Sequence, residues 1–381
     1  MGAVSVVGSA DNLQKPLQQS DLVPLRLPHV RALDGVRGIA AILVVVHHCM
    51  FGGLSTFVGS YPSRLVEATS GYFMLGVDVF FVLSGYLITS LLLLDRRRPR
   101  YYQNFYWKRA FRILPPLILV LLSSHYMGYT PWFGVITGLL FVANLPTLFG
   151  LPEYGPYWSL AIEEQFYLAW PSVVRKMKAP VMYRFLIACI VLPIVLRALS
   201  IYLHHGRTEY TFVHCDGLAL GAMLALLAFR ARIPWRNRNN LNFWRTSGRW
   251  LFWCGLVLMA FSVTLRHAQV QDYGTIFTSA GVLSTGVLAY LITHQQSATA
   301  RFLGSKPLRF LGNISYMVYL SHLYILNLYN GHTKFWANGP TEGGLYLRLL
   351  VVLAVTILWS TISLYAFERP VGRLRRFFVR L

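Results

Sequence analysis

The stretch Leu33–His48, LDGVRGIAAILVVVHH, places an arginine and two histidines in an otherwise apolar run. His48 follows Arg37 by eleven positions, which at about 100° per residue is only about 20° beyond three full helical turns. A helix therefore puts these two side chains on one face, about 16 Å apart, with His47 pointing about 80° away. Because ionisable groups at membrane depth are expensive, this stripe predicts an intramembrane base and a fixed cation near one interface.

The rest of the chain predicts an all-α, polytopic integral membrane bundle. Of 381 residues, 55% are hydrophobic and 13% are charged, whereas soluble domains carry about 25% charged residues. Many apolar segments have the length of membrane spans, about 17–25 residues. These segments are 38–58, 72–94, 113–128, 132–149, 156–174, 183–203, 211–229, 250–265, 274–293, 308–330 and 345–367.

The net charge of +21 is distributed in alternate loops. Basic clusters at 95–112 and 230–249 alternate with loops that carry a single base, such as Arg207 and Lys334. This positive-inside pattern predicts a plasma-membrane protein with both termini in the cytoplasm and no nucleic-acid partner. We expect residues 1–30 to form a disordered cytoplasmic arm and residues 31–381 to form one membrane domain, with no soluble domain after it.

The loop pattern also constrains the number of membrane crossings. An even number of spans must separate the basic loops at 95–112 and 175–184, yet three apolar segments lie between them. Glycines and prolines interrupt the region 132–174. We therefore predict about ten membrane helices and one partial or re-entrant element that lines a cavity.

Further polar residues fall within the apolar segments and are candidates for a site. The run His214-Cys215-Asp216 cannot form a triad among its own members, because consecutive helical side chains point about 100° apart. Each polar residue of this set has two alternative roles, one in a functional site and one as a hydrogen-bonded packing residue. The two roles have equal weight for Asn144 and Asp216. The set comprises Asp78, Ser84, Asn144, Trp158, Ser159, Glu163, Glu164, Asp216 and His322.

The segment Tyr101–Pro116, YYQNFYWKRAFRILPP, mixes aromatic rings with Arg109 and Arg112. One interpretation is an amphipathic anchor at the membrane surface. The other is a clamp for the phosphates of a cytoplasmic donor, since a guanidinium binds phosphate in a bidentate manner.

Taken together, these motifs resemble the membrane-bound acyltransferase family 3, bacterial O-acyltransferases of cell-envelope sugars and some secreted metabolites. The resemblance runs from about Leu33 to Pro370 and includes the spacing of Arg37 and His48. Further blocks follow in the family's order: GVDVFFVLSGYL, FRILPP, FVAN, WSLAIEEQFYL, DGLALGAMLA, ISYMVYLSH and FERP. The family often has an arginine where this chain has His214.

The resemblance implies transfer of an acyl group, usually acetyl, from cytoplasmic acyl-CoA to a hydroxyl of a carbohydrate, glycolipid or glycosylated metabolite. His48 would be the general base or would otherwise handle the hydroxyl proton, and Arg37 would help to bind the donor or stabilise the charge that develops during transfer. Glu163 is a further catalytic candidate, and Arg109 and Arg112 are candidates for binding the donor. No metal is expected. The alternatives are a secondary transporter or acyl-group carrier that uses the intramembrane carboxylates and histidine, and a non-catalytic membrane scaffold.

Overall fold

The computed structural model describes residues 29–50, 69–149, 151–152, 155–202, 210–230, 238–267, 273–335 and 341–378. Throughout these ranges the regular secondary structure is helical, as predicted. The expected N-terminal arm lies outside the described residues up to position 28. The end of the first predicted span, 51–58, also lies outside them.

Fourteen α-helices occur in the described ranges. They are α1 Arg31–Met50, α2 Gly76–Asp95, α3 Tyr101–Tyr126, α4 Trp132–Leu139, α5 Tyr157–Lys176, α6 Ala179–Tyr202, α7 Thr211–His214, α8 Asp216–Arg230, α9 Arg238–His267, α10 Tyr273–Thr293, α11 Ala298–Leu303, α12 Lys306–Thr333, α13 Glu342–Ser363 and α14 Arg369–Leu374. Short 3₁₀ turns lie at Phe73–Leu75, Pro146–Phe149 and Arg375–Phe377, and a π-helical turn at Leu364–Glu368 joins α13 to α14.

Six described helical segments are long and apolar enough to cross a membrane, so the predicted count of ten is not confirmed. They are Arg31–Met50, Phe73–Asp95, Ala179–Ser200, Arg245–Thr264, Thr275–Thr293 and Gly343–Phe377. Helices α3, α5 and α12 have similar lengths but carry more polar side chains. These three helices line the polar interior described below.

The outer surface of the bundle is apolar. Helix α6 exposes Ile187, Val191 and Val195, each by about half of its surface, and α9 exposes Trp253 and Val257. A soluble protein rarely leaves apolar patches of this extent uncovered. A hydrocarbon environment around these helices explains the exposure, so the molecule has the character of an integral membrane protein.

The region 132–149 does not form one span. Helix α4 has eight residues, about 12 Å of rise, against a bilayer core of about 30 Å. The chain leaves α4 through Phe141, whose φ of 55° is left-handed, and then forms the 3₁₀ turn at Pro146–Phe149. This broken segment lies in the region where the sequence predicts a partial element.

Glycines allow the helices around the interior to approach closely. A Cβ atom on Gly85 of α2 would overlap the carbonyl oxygen of Leu218, and one on Gly221 of α8 would overlap that of Val82. A similar contact joins Gly312 of α12 to the backbone of Asp34 in α1. These contacts hold α2 against α8 and α12 against α1, and α1, α2 and α12 line the polar interior described below.

Candidate active site

Helices α1, α2, α5 and α12 line three adjacent cavities inside the bundle. The histidine cavity, of about 280 Å³, is lined by His47, His48, Asp78, Trp158 and His214. The middle cavity, of about 50 Å³, is lined by Arg37, Ser159, Glu163, Tyr316 and Tyr319. The arginine cavity, of about 70 Å³, is lined by Arg37, Ser84, Arg109, Arg112, Glu163 and Glu164.

Shared lining residues show that these cavities lie in a row. Val77 and Tyr319 line both the histidine and the middle cavity. Arg37, Glu163 and Tyr316 line both the middle and the arginine cavity. The row therefore runs along α1 from the level of Arg37 to the level of His48, about 16 Å for eleven residues of helix.

Hydrogen bonds define the state of the His48 ring. Its Nδ1 lies 2.9 Å from the carbonyl oxygen of Val44, one turn earlier in α1. A carbonyl oxygen only accepts, so Nδ1 carries the proton, and in the neutral ring Nε2 keeps its lone pair. A basic nitrogen of this kind is what proton abstraction requires.

His322 of α12 supports the same arrangement. Its Nδ1 lies 2.6 Å from the carbonyl oxygen of Tyr319, so this ring also carries its proton on Nδ1. Its Nε2 lies 3.3 Å from Nδ1 of His48 and acts as a second acceptor there. His322 is fully buried, and its contact is with Nδ1 of His48 rather than with Nε2, the nitrogen suited to accept a proton.

His47 lies closer to the site than its helical position suggests. Its Nδ1 lies 2.8 Å from the carbonyl oxygen of Ser70, just before α2, and its ring contacts that of His48 edge to face at 4.9 Å. Both rings line the histidine cavity. The 80° offset along α1 thus gives the two histidines different hydrogen-bond partners, but both rings line the same cavity.

An aspartate–histidine pair forms another wall of the histidine cavity. His214 Nε2 lies 3.0 Å from Asp78 Oδ1, and the two side chains are only 1% and 3% exposed. The imidazole is packed among the rings of Phe81, Trp158 and Phe277. The pair joins the start of α2 to the end of α7, and the carboxylate that His214 contacts is Asp78 rather than the neighbouring Asp216.

Tyr319 and Ser159 mark the boundary between the histidine and middle cavities. The Tyr319 hydroxyl lies 2.5 Å from the Ser159 hydroxyl and donates to the carbonyl oxygen of Pro156 at 3.2 Å. The ring of Phe80 lies 6.1 Å from that of Tyr319. A molecule that spans both cavities has to pass these side chains.

The arginine cavity combines cations with hydrogen-bonded glutamates. Arg109 lies with its guanidinium 3.4 Å above the centre of the Tyr167 ring and 3.5 Å from Glu164 Oε1. Glu163 accepts hydrogen bonds from the hydroxyls of Ser84 and Tyr167. A further cavity of about 360 Å³ adjoins at Arg109 and Glu164 and is lined mainly by apolar side chains.

The charge of its lining residues indicates which kind of ligand the arginine cavity can bind. Three arginines, Arg37, Arg109 and Arg112, line it, whereas Glu163 and Glu164 are its carboxylates. The balance is positive, and guanidinium groups pair well with phosphate oxygens.

Two of the polar residues singled out by sequence lie in separate clusters. Asn144 donates to Thr211 at 3.0 Å and accepts from Gln165 at 3.0 Å. Asp216 accepts from Arg197 through both oxygens, at 3.2 and 2.6 Å. Both clusters connect separate segments of the chain through hydrogen bonds. This is consistent with a packing role for Asn144 and Asp216, one of the two roles considered from the sequence.

Tyr319, Arg197 and Arg348 were not among the residues singled out from sequence, and His214 was considered only in a rejected triad and as a departure from a motif. A signal existed for the two arginines, because Arg197 and Arg348 lie in apolar helices and are only 1% and 2% exposed. No local signal pairs His214 with Asp78, since 136 positions separate them. Within the described ranges, no group of three histidine, cysteine, aspartate or glutamate side chains could hold a metal ion.

The fold and the site together define a helical integral membrane protein with a polar, histidine-containing interior. Comparison with protein families identifies it further: the acyltransferase domain model of the acyltransferase 3 family matches residues 30–365. The chain therefore belongs to this family.

Among curated proteins, the chain is 26% identical to the putative peptidoglycan O-acetyltransferase YrhL of Bacillus subtilis, over 90% of this chain and 55% of that protein. It is 26% identical to the peptidoglycan O-acetyltransferase OatA of Listeria monocytogenes, over 91% and 56%. It is 27% identical to the O-acetyltransferase OatA of Staphylococcus aureus, over 91% and 57%. The chain thus spans about half the length of these relatives. No solved structure matches.

Proposed function

We propose that this chain is an integral membrane O-acyltransferase. It transfers an acyl group, with acetyl as the first candidate, from acyl-CoA to a hydroxyl of a carbohydrate acceptor. The relatives are named as peptidoglycan or O-acetyltransferases, so peptidoglycan glycan is the first acceptor to test. The proposal rests on His48, whose Nδ1 is bound to the carbonyl oxygen of Val44, in a cavity that the middle cavity separates from the arginine cavity.

The row of cavities suggests how the donor lies. The CoA phosphates bind in the arginine cavity, where Arg109 and Arg112 supply the guanidinium groups. The thioester arm extends through the middle cavity past Arg37 and Tyr319. Its carbonyl group then reaches the histidine cavity, where His48 lies about three helical turns from Arg37.

The chemical step follows from this arrangement. His48 Nε2 takes the proton of the acceptor hydroxyl as that oxygen attacks the thioester carbonyl carbon. The tetrahedral intermediate collapses with cleavage of the carbon–sulfur bond, and the imidazolium returns the proton to the departing thiolate. The products are the ester and free CoA. Glu163, held by Ser84 and Tyr167, balances the positive charge of the arginines next to the donor.

The test is acyl transfer by the purified protein in detergent, with radiolabelled acetyl-CoA as donor and penta-N-acetylchitopentaose as acceptor. His48→Ala should lower the transfer rate by about 10²- to 10⁴-fold, the usual contribution of a general base. His47→Phe is the matched control, because it changes the neighbouring ring and leaves His48 in place; we expect a much milder loss.

Ester formation that survives in His48→Ala but is lost in His47→Phe would overturn this assignment. Movement of acetyl-CoA or sugar across proteoliposomes without ester formation would instead support the transporter alternative.

The orientation belongs to the same proposal. The basic loops lie in the cytoplasm, so both termini and the segment 95–112 face the donor side of the plasma membrane. Cysteines introduced singly at Lys334 and at Arg97 test it with an impermeant thiol reagent in intact cells. Labelling at 334 but not at 97 is expected, and the reverse pattern would contradict a cytoplasmic donor site.

A further inference from the structure

Two sets of polar groups line the histidine cavity, and the mechanism above uses only the set that contains His48. His48 lies on α1, while Asp78 and His214 lie on α2 and α7. A single base would suffice for proton abstraction. A second buried polar pair in the same cavity therefore calls for a different role.

Asp78 is incompletely hydrogen-bonded. Its Oδ1 accepts from His214 at 3.0 Å, whereas its Oδ2 is buried and has no hydrogen-bond partner among the described residues. A buried carboxylate oxygen without a donor is costly, and native proteins rarely leave one unpaired without a functional reason. The missing partner is an O–H or N–H donor.

The surroundings of Asp78 limit what this donor can be. The cavity of about 280 Å³ is close to the lower end of small-molecule sites, roughly 300–1,000 Å³. Its lining includes the aromatic residues Trp158, Phe277 and Tyr319. Aromatic walls with a few polar groups bind a compact molecule that has both apolar faces and hydrogen-bonding edges.

The pairing with His214 keeps Oδ2 available. An imidazole bonds the carboxylate through one nitrogen and so engages one oxygen, whereas a guanidinium would take both oxygens in a fork. The rings of Phe81 and Phe277 hold the imidazole in place. The pair thus leaves one acceptor atom of Asp78 unpaired, in a side chain that lines the cavity containing the base.

We propose that Asp78, positioned by His214, is the acceptor-binding residue of this site. Its Oδ2 accepts a hydrogen bond from a hydroxyl or amide N–H next to the hydroxyl that is acylated. The acceptor is then a polyhydroxylated or N-acylated sugar ring held between His48 and Asp78, rather than an isolated alcohol. This inference rests on the proposed function, since it assigns the acceptor side of the same reaction.

The experiment measures KM and kcat for penta-N-acetylchitopentaose at saturating acetyl-CoA in two variants of the full chain. Asp78→Asn should raise the acceptor KM about 10- to 100-fold, as expected for a lost hydrogen bond to a charged group, and should lower kcat less. His214→Arg should raise the acceptor KM over the same range of about 10- to 100-fold, because the guanidinium occupies both oxygens and extends into the cavity.

His214→Arg separates binding from a structural role. A structural role requires only a donor on Asp78, which arginine supplies, and predicts an acceptor KM within about two-fold of the wild type. Ser262→Ala is the control for removal of a buried hydrogen bond, since Ser262 contacts Thr275 and Ser279 at 2.7 and 3.1 Å away from the cavities. It should leave the acceptor KM unchanged.

If the His214→Arg enzyme is active and its acceptor KM is unchanged, the role assigned to Asp78 is overturned but the proposed function is not. This holds even if Asp78→Asn fails to fold. Absence of any acyl transfer by the wild type to this sugar or to peptidoglycan fragments would overturn the proposed function as well. The two failures are therefore distinguishable.

Discussion

Asp78 and Asp216 are both buried carboxylates near the start of apolar helices, yet their surroundings differ. Asp216 accepts two hydrogen bonds from Arg197 and one from Thr278 at 2.9 Å, so both of its oxygens are paired. Asp78 accepts one from His214, and its second oxygen has no partner among the described residues. Asp78 also lines the histidine cavity.

The difference distinguishes a structural ion pair from the carboxylate that we propose binds the acceptor. Arg197 also donates to the carbonyl oxygen of Val213 at 2.6 Å and to the hydroxyl of Thr278, so its hydrogen bonds join α6, α7, α8 and α10. Both carboxylate oxygens of Asp216 are engaged in this cluster. Asp78 has hydrogen-bonding capacity that none of the described residues uses. In the sequence, both residues are aspartates in apolar runs, so only their hydrogen-bond partners in the structure distinguish them.

The largest expected effect on stability comes from the structural pair. Arg197→Leu leaves Asp216 buried without its cation, which costs about 3–5 kcal/mol. Asp78→Asn removes part of a single hydrogen-bonded pair and should cost about 1–3 kcal/mol. Thermal unfolding in detergent, followed by tryptophan fluorescence, measures the two variants side by side.

The stability comparison would fail if Asp78→Asn lowered the melting temperature as much as Arg197→Leu. Arg197→Lys provides an intermediate control, because lysine keeps the charge but not the fork that engages both oxygens of Asp216.

A smaller effect is expected at the arginine cavity and should appear in donor affinity. Arg109→Lys and Arg112→Lys keep the charge but lose bidentate phosphate binding, so each should raise the KM for acetyl-CoA by about 10-fold, within the range of one hydrogen bond to a charged group, and lower kcat less. Steady-state kinetics at saturating sugar acceptor measures this.

Arg98→Lys is the matched control for the donor site. Arg98 pairs with Asp95 at 3.0 Å and has a side chain that is 45% exposed. Its replacement should leave the donor KM unchanged. An unchanged donor KM in Arg109→Lys and Arg112→Lys, with normal expression, would favour the membrane-anchor interpretation of this segment.

Sequence predicted the helical membrane character because apolar runs of spanning length depend only on local composition. The predicted count of ten spans is not confirmed: six described segments are long and apolar enough, and helices that line the polar interior carry polar side chains that weaken this signal. Helix α12, with Asn313, Ser321 and His322, is such a case. The spacing of Arg37 and His48 was informative because helical periodicity alone relates them.

Long-range pairings were not predictable from one sequence. The pairs His214–Asp78 and His322–His48 are 136 and 274 positions apart, and nothing in the local pattern links their members. Tyr319 resembles any interfacial tyrosine until its hydroxyl is placed against Ser159. Asn144 and Asp216 shared the polar signal of the site residues but satisfy their hydrogen bonds elsewhere.

The central claim is that His48 performs chemistry in one cavity while the donor binds mainly in the next. Isothermal titration of acetyl-CoA into purified His48→Ala protein tests this most directly. The account predicts a Kd within about two-fold of the wild type while the transfer rate falls by about 10²- to 10⁴-fold. A Kd raised as strongly as the rate is lowered would contradict it, since His48 would then be a donor-binding residue rather than the base.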